Sequence, residues 1–197
     1  MRIAILAAAM ACGLATGAQA AVRYSLVNPT YNQAAQDAGE RFDFSLTVSD
    51  AAVARGTFSL SGQGFSPNIR PIYTGDLADF VSATFALLTE NETVTPAFLT
   101  GSITLSLAFG AGSAVTASSV AYSSPNEMER LGGTSASFGG TFATDNSNIR
   151  CGSADGCAAT GQLAATTVPN PVPEPVSMSL IGIGLLCLVA ARRARAA

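Results

Sequence analysis

Residues 169–197 constrain the chain more than any other stretch. Pro169, Pro171, Pro173 and Pro175 occupy every second position. Each proline fixes φ, lacks an N–H and pushes the residue before it out of the helical region. Residues 169–175 are therefore an extended linker that cannot join a sheet interior, with Glu174 held between two prolines. Residues 176–191 follow, 16 positions without a charge. As a helix they rise about 24 Å, against a bilayer core of about 30 Å. The pattern predicts a transmembrane helix over 176–191, short enough to need slight bilayer thinning or snorkelling flanks. Arg192, Arg193 and Arg195 lie in the basic tail 192–197. They are expected to stop transfer and stay cytoplasmic, which places everything before 176 on the other side. A buried helix of a soluble domain is the alternative, but the run has no polar face and ends in arginines that no core accepts.

The other terminus agrees. Residues 1–20 read as a secretory signal peptide. Arg2 supplies the positive start, residues 3–15 the apolar region, and Ala18-Gln19-Ala20 a small-x-small cleavage site. Cleavage is expected after Ala20, leaving Ala21 as the first mature residue. Cys12 lies too early and in the wrong context for a lipoprotein signal. The two ends together predict export by Sec-type machinery and a single span in the inner membrane, with the N-terminus outside.

The order Val172-Pro173-Glu174-Pro175, a Leu- and Gly-rich apolar run, then Arg192-Arg193 resembles the PEP-CTERM sorting signal. The resemblance covers residues 169–197. It implies recognition by an exosortase, a membrane-embedded enzyme that cuts near Pro-Glu-Pro. Pro173, Glu174 and Pro175 are then the recognition residues, and Arg192, Arg193 and Arg195 the stop-transfer cluster. The resemblance also implies a Gram-negative bacterium that makes exopolysaccharide or biofilm matrix.

Between the two ends lie residues 21–168, enough for one domain with its own core. Charged residues are 12% of the chain, about half the usual share, and Ser, Thr, Gly and Ala fill the gap. Residues 21–168 hold six arginines and twelve acids, a net charge of 6 − 12 = −6. Such a surface argues against nucleic acid, which needs a basic footprint. The chain has no His, which removes Ser-His-Asp and Cys-His sites and the commonest metal ligand. It has no Lys, so neither a Schiff base nor a phosphate-loop lysine can form. No cofactor is expected. Cys151 and Cys157 face the oxidising exterior and are expected to form a disulfide around a five-residue loop.

Period-two alternation runs through this region. Phe42, Phe44, Leu46 and Val48 alternate with polar residues over 41–49, which predicts a strand with one wet face. Phe58 and Leu60 repeat the pattern, as do Val81, Ala83, Phe85 and Leu87, then Ile103, Leu105, Leu107 and Phe109. Further strands are expected at 22–27, 115–122, around 136–142 and at 161–168, with an extended piece at 69–73. Asn28-Pro29 should end the first strand, and the residues through Gly39 should form a loop. Residues 89–92 are also expected as a loop. Ser124-Pro125-Asn126-Glu127 reads as a capping box with proline at the first helical position, and Gly132-Gly133 as a stop, predicting one short helix. The expected fold is all-β, a single β-sandwich of jelly-roll or immunoglobulin-like kind with that one helix.

Candidate chemistry is sparse. Glu90/Glu92 and Glu127/Glu129 are close carboxylate pairs, as glycoside hydrolysis requires, though solvated charges are the simpler reading. Asp145-Asn146-Ser147-Asn148 and Asp155 offer oxygens to Ca²⁺ but miss the EF-hand spacing. Asn91-Glu92-Thr93 fits the glycosylation pattern. Trp is absent, and Tyr24, Tyr31, Tyr73 and Tyr122 are scattered, so no sugar-stacking platform is evident. The sequence reads as a non-enzymatic surface or extracellular-matrix protein, structural or adhesive, with exosortase as its processing partner and exopolysaccharide as its expected contact. The alternatives are an exported carbohydrate-binding or carbohydrate-active module, and a permanent single-span membrane protein.

Overall fold

The computed structural model describes residues 20–64, 70–87, 91–125, 127–144 and 156–169. Eleven strands build it: β1 (Ala21–Tyr31), β2 (Phe42–Ser49), β3 (Thr57–Gln63), β4 (Ile72–Gly75), β5 (Phe80–Leu87), β6 (Asn91–Val94), β7 (Ser102–Phe109), β8 (Val115–Ser123), β9 (Glu127–Gly133), β10 (Phe138–Thr144) and β11 (Cys157–Val168). Two short helices, α1 (Gln33–Ala38) and α2 (Asp50–Arg55), join the early strands.

All eleven strands form one antiparallel sheet, in the order β4-β3-β7-β8-β9-β10-β11-β1-β2-β5-β6. The all-β expectation holds, but the two separate sheets of a sandwich do not. The β9–β10, β10–β11 and β11–β1 ladders join what would have been two layers into one continuous sheet. That sheet curls until strands far apart in its order meet. Phe44 of β2 stacks on Phe138 of β10 at 5.3 Å, and Phe85 of β5 on Tyr122 of β8 at 4.6 Å. Tyr24 of β1 lies 5.5 Å from Phe109 of β7. Aromatic pairs at such spacings add about 0.5–1.5 kcal/mol each beyond their buried area.

The β9–β10 ladder brings two backbones into close contact. A Cβ on Gly140 of β10 would sit 1.9 Å from the Arg130 carbonyl oxygen of β9. Only glycine allows that approach, and glycine kinks are how a sheet turns sharply.

The core follows the alternation. Phe42, Phe44, Leu46 and Val48 are all buried, as are Ile103, Leu105, Leu107 and Phe109. The second face of β2 departs from expectation. Ser45, Thr47 and Ser49 are buried too, so that face is wet only at its start, where Arg41 and Asp43 are exposed. Another departure comes from a bulge. Thr47 pairs with Ser82 but Val48 pairs with Phe80, which skips Val81. A one-residue slip exchanges faces, so Phe80 is buried and Val81 is 39% exposed.

Four local expectations are corrected. Residues 127–133 are β9 rather than the end of a helix. A two-turn helix closes few hydrogen bonds for its nucleation cost, whereas β9 gains a ladder on each side, to β8 and β10. Its pattern is strand-like, with Glu129 and Leu131 buried and Met128 exposed. Asn28-Pro29 does not end β1. The strand crosses it through a register shift between Val27 and Thr30, with Asn28 at φ 52°. The stretch before Gly39 contains α1, capped by Asn32 and closed by Gly39 in the left-handed region. Residues 91 and 92 belong to β6 rather than a loop.

Helix α2 carries its own local signals in the sequence. Ser49 caps it, Asp50 sits in its first turn, Arg55 in its last, and Gly56 follows at φ 88°. Each suits its place against the helix dipole and the terminal orphan groups.

Candidate functional site

The chain enters and leaves the domain at one place. Ala21 is paired with Val168 of β11 on one side and with Ser49 of β2 on the other. It is 2% exposed. The Ala20 carbonyl accepts a hydrogen bond from the Asp50 amide at 3.0 Å. Thus Ala20 and Ala21, the two residues expected to flank leader cleavage, are both drawn into the folded domain. Ala18 lies outside the described residues.

The same end carries a polar cluster. Ser49 Oγ accepts from the Ala52 amide at 3.1 Å and donates to the Asp79 carboxylate. Arg55 bridges Asp79 at 2.9 Å and Asp76 at 3.2 Å. Asp76 also accepts from the Ser59 amide at 2.8 Å. The Ser49 hydroxyl, followed by the Arg55 guanidinium, holds the Asp79 carboxyl below the usual aspartate range. These contacts tie α2 to the turn between β4 and β5, so their role is to clamp the fold.

A second cluster surrounds Tyr122. Thr100 donates its hydroxyl to the Glu92 carboxylate, and its Oγ1 lies 3.2 Å from the Tyr122 hydroxyl. Burial, then the hydrogen bond with Glu92, pushes the Tyr122 phenol far above its usual value. Glu129 is fully buried and is the register partner of both Tyr122 and Phe142. The fold therefore brings one member of each expected carboxylate pair, Glu92 and Glu129, to the neighbourhood of Tyr122. Glu90 lies outside the described residues, and Glu127 enters only as the first residue of β9. A glycosidase holds its two carboxyls across an open gap that admits a sugar. Here Tyr122 and Glu129 are packed inside, so the cluster is part of the core.

An open depression of about 390 Å³ lies beside the β1 register shift, lined by Leu26, Pro29, Tyr31, Arg41, Phe42 and Asp43 among others. Tyr31 is held there by its hydroxyl, which donates to the Phe42 carbonyl at 3.0 Å. Tyr24 and Tyr122 are buried, so neither offers a ring to solvent. Among the described residues no three His, Cys, Asp or Glu side chains gather to hold a metal. The expected Ca²⁺ loop at 145–148 and Asp155 lie outside them.

Cys157 opens β11, is fully buried and pairs in register with Phe142. Cys151 lies outside the described residues. So do the linker beyond Pro169, the expected span at 176–191 and the arginine tail. Among the described residues no helix is long and apolar enough to cross a membrane.

Residues 171–195 match the family model of the PEP-CTERM protein-sorting motif. The match includes Pro173, Glu174 and Pro175 and also Arg192, Arg193 and Arg195. The chain therefore carries a PEP-CTERM sorting signal, which implies exosortase-dependent export to the cell surface. No curated protein and no solved structure is similar to the chain.

Proposed function

We propose that this protein is a non-enzymatic exported surface or matrix component. Its β-domain, residues 21–168, is delivered by a cleaved leader and held at the inner membrane by the 176–191 span. It stays there until an exosortase cuts near Pro173-Glu174-Pro175. The match at residues 171–195 carries this reading. The domain supports it: β11 ends at Val168, and the matched motif begins three positions on, at residue 171. After release the domain is a structural or adhesive element in contact with exopolysaccharide. A disulfide between Cys151 and Cys157 closes the loop before β11, and intact mass with and without reduction and alkylation tests it.

A second reading is a carbohydrate-binding module. It is favoured by the depression that carries Tyr31, Arg41 and Asp43, whose opposite charges over an apolar floor suit a neutral, hydroxyl-rich ligand. A glycan array on the exported domain separates the two readings. A third keeps the tail uncut as a permanent span.

The deciding experiment compares the mass of the exported form with full length, for the natural chain and for Arg192→Gln/Arg193→Gln/Arg195→Gln. A natural form lacking the tail, and a variant that is mislocalised or uncut, support the proposal. A natural form that keeps its tail sinks it in favour of the permanent span.

A further inference from the structure

We infer that the leader must be removed before the domain folds, because the folded sheet encloses the bond to be cut. This rests on the leader reading proposed above, with cleavage between Ala20 and Ala21. A protease binds its substrate as an extended strand and needs the backbone edges of that strand free. In the folded domain those edges are taken. Ala21 sits between two strands, opposite Val168 on one side and Ser49 on the other. On the acyl side of the bond, the Ala20 carbonyl is held by the Asp50 amide. Ala21 itself is 2% exposed and Val22 is 7% exposed. No spacer separates the cut from the sheet, since β1 begins at Ala21.

The order of synthesis opens a window for the cut. β1 is the first strand made, and its partner β11 is the last. The pair Ala21↔Val168 spans 168 − 21 = 147 residues. At about 5–20 residues per second, roughly 7–30 s pass between their syntheses. During that time the β11 side of β1 has no partner, so only the local β2 hairpin competes with a signal peptidase for the bond. Once β11 docks, cleavage requires the start of β1 to unpair from both neighbours. A chain that folds with its leader attached is then trapped as a precursor.

The full chain, purified with its leader in detergent, tests this against a purified bacterial signal peptidase. Precursor diluted from urea directly into the assay should be cut to a chain beginning at Ala21. Precursor refolded first should be cut at least about tenfold more slowly, since cleavage then tracks the population of the opened form. Inserting Gly-Ser-Gly-Ser between Ala20 and Ala21 moves the bond clear of the sheet and should restore the fast rate in the folded state. Equal rates for folded and unfolded natural precursor overturn the inference. So does a folded insertion variant that stays slow. A mature chain that begins elsewhere than Ala21 removes the cleavage reading as well, and N-terminal sequencing tells that failure from the other two.

Discussion

Tyr73 of β4 donates its hydroxyl to the Thr95 carbonyl just past β6, at 2.9 Å. β4 and β6 are the two edges of the sheet, ten positions apart in its order. The same ring lies 6.4 Å from Phe80 of β5 and covers Gly62 of β3. One side chain thus joins the edges of a sheet whose ladders do not close.

Tyr73→Phe should lower stability by about 0.5–1.5 kcal/mol, the net value of one hydrogen bond. The loss should be local. Hydrogen exchange should speed up in β4 and β6 while β1 and β11 stay protected. Uniform acceleration throughout the sheet would mean that the seam is not a separable unit.

Phe80→Ala should cost about 3–5 kcal/mol, whereas Val81→Ala should change stability by less than about 0.5 kcal/mol. The contrast comes from the bulge that turns Phe80 inward and leaves Val81 exposed. Chemical denaturation of both variants checks it. The reverse ranking would place the register one residue away.

Asp79→Ala should destabilise by on the order of 1–2 kcal/mol near neutral pH, because the Ser49 hydrogen bond is to a charged group and the Arg55 partner is half-exposed and screened. The folded carboxyl titrates below its ordinary value of 3.8. Its contribution is therefore present above that value and is lost as pH falls through the lower folded one. The stability gap between natural chain and variant should shrink as pH drops below about 4. A gap that stays constant to pH 2 would contradict the ionised pairing.

Alkali should act through the buried tyrosines. Burial raises the Tyr24 phenol from 10.0 to about 12, and Tyr122 is raised further. A folded value above the unfolded one means stability is whole below pH 10 and falls as pH rises past it. For Tyr24 the loss approaches roughly 2–3 kcal/mol across that window. Phenolate absorbance should stay below the four-tyrosine value until the chain unfolds, then jump. A smooth titration of all four near pH 10 with the fold intact would show the rings to be accessible.

Much of this domain is legible residue by residue. The alternations at 42–48 and 103–109 locate both strands and their core faces without error, because period two is a local property. The polar face of β2 misleads because partners distant in sequence or in the next helix cover its small side chains: the Arg23 guanidinium reaches Ser45, and α2 with Asp79 takes up the Ser49 hydroxyl. Val81 misleads because a bulge lies in the strand pairing and leaves no mark on the strand that shifts. The capping box at Ser124 is a sound local signal that two β ladders outweigh. The continuous sheet is illegible for a deeper reason, since the order β11-β1-β2 depends on contacts across almost the whole chain. The carboxylates show the same limit. Glu92 and Glu129 read as members of separate pairs, and only the fold brings both to Tyr122. The sorting signal is legible in full, because its parts are consecutive.

With residues 21 and 168 directly opposed, the distance between them is that of any cross-strand pair, about 4.5–5.5 Å. A two-residue turn can bridge such a gap. The domain is topologically almost a ring that biosynthesis happens to open at that point. Joining the ends and reopening the chain at the 134–137 turn should give a permuted protein with the same sheet.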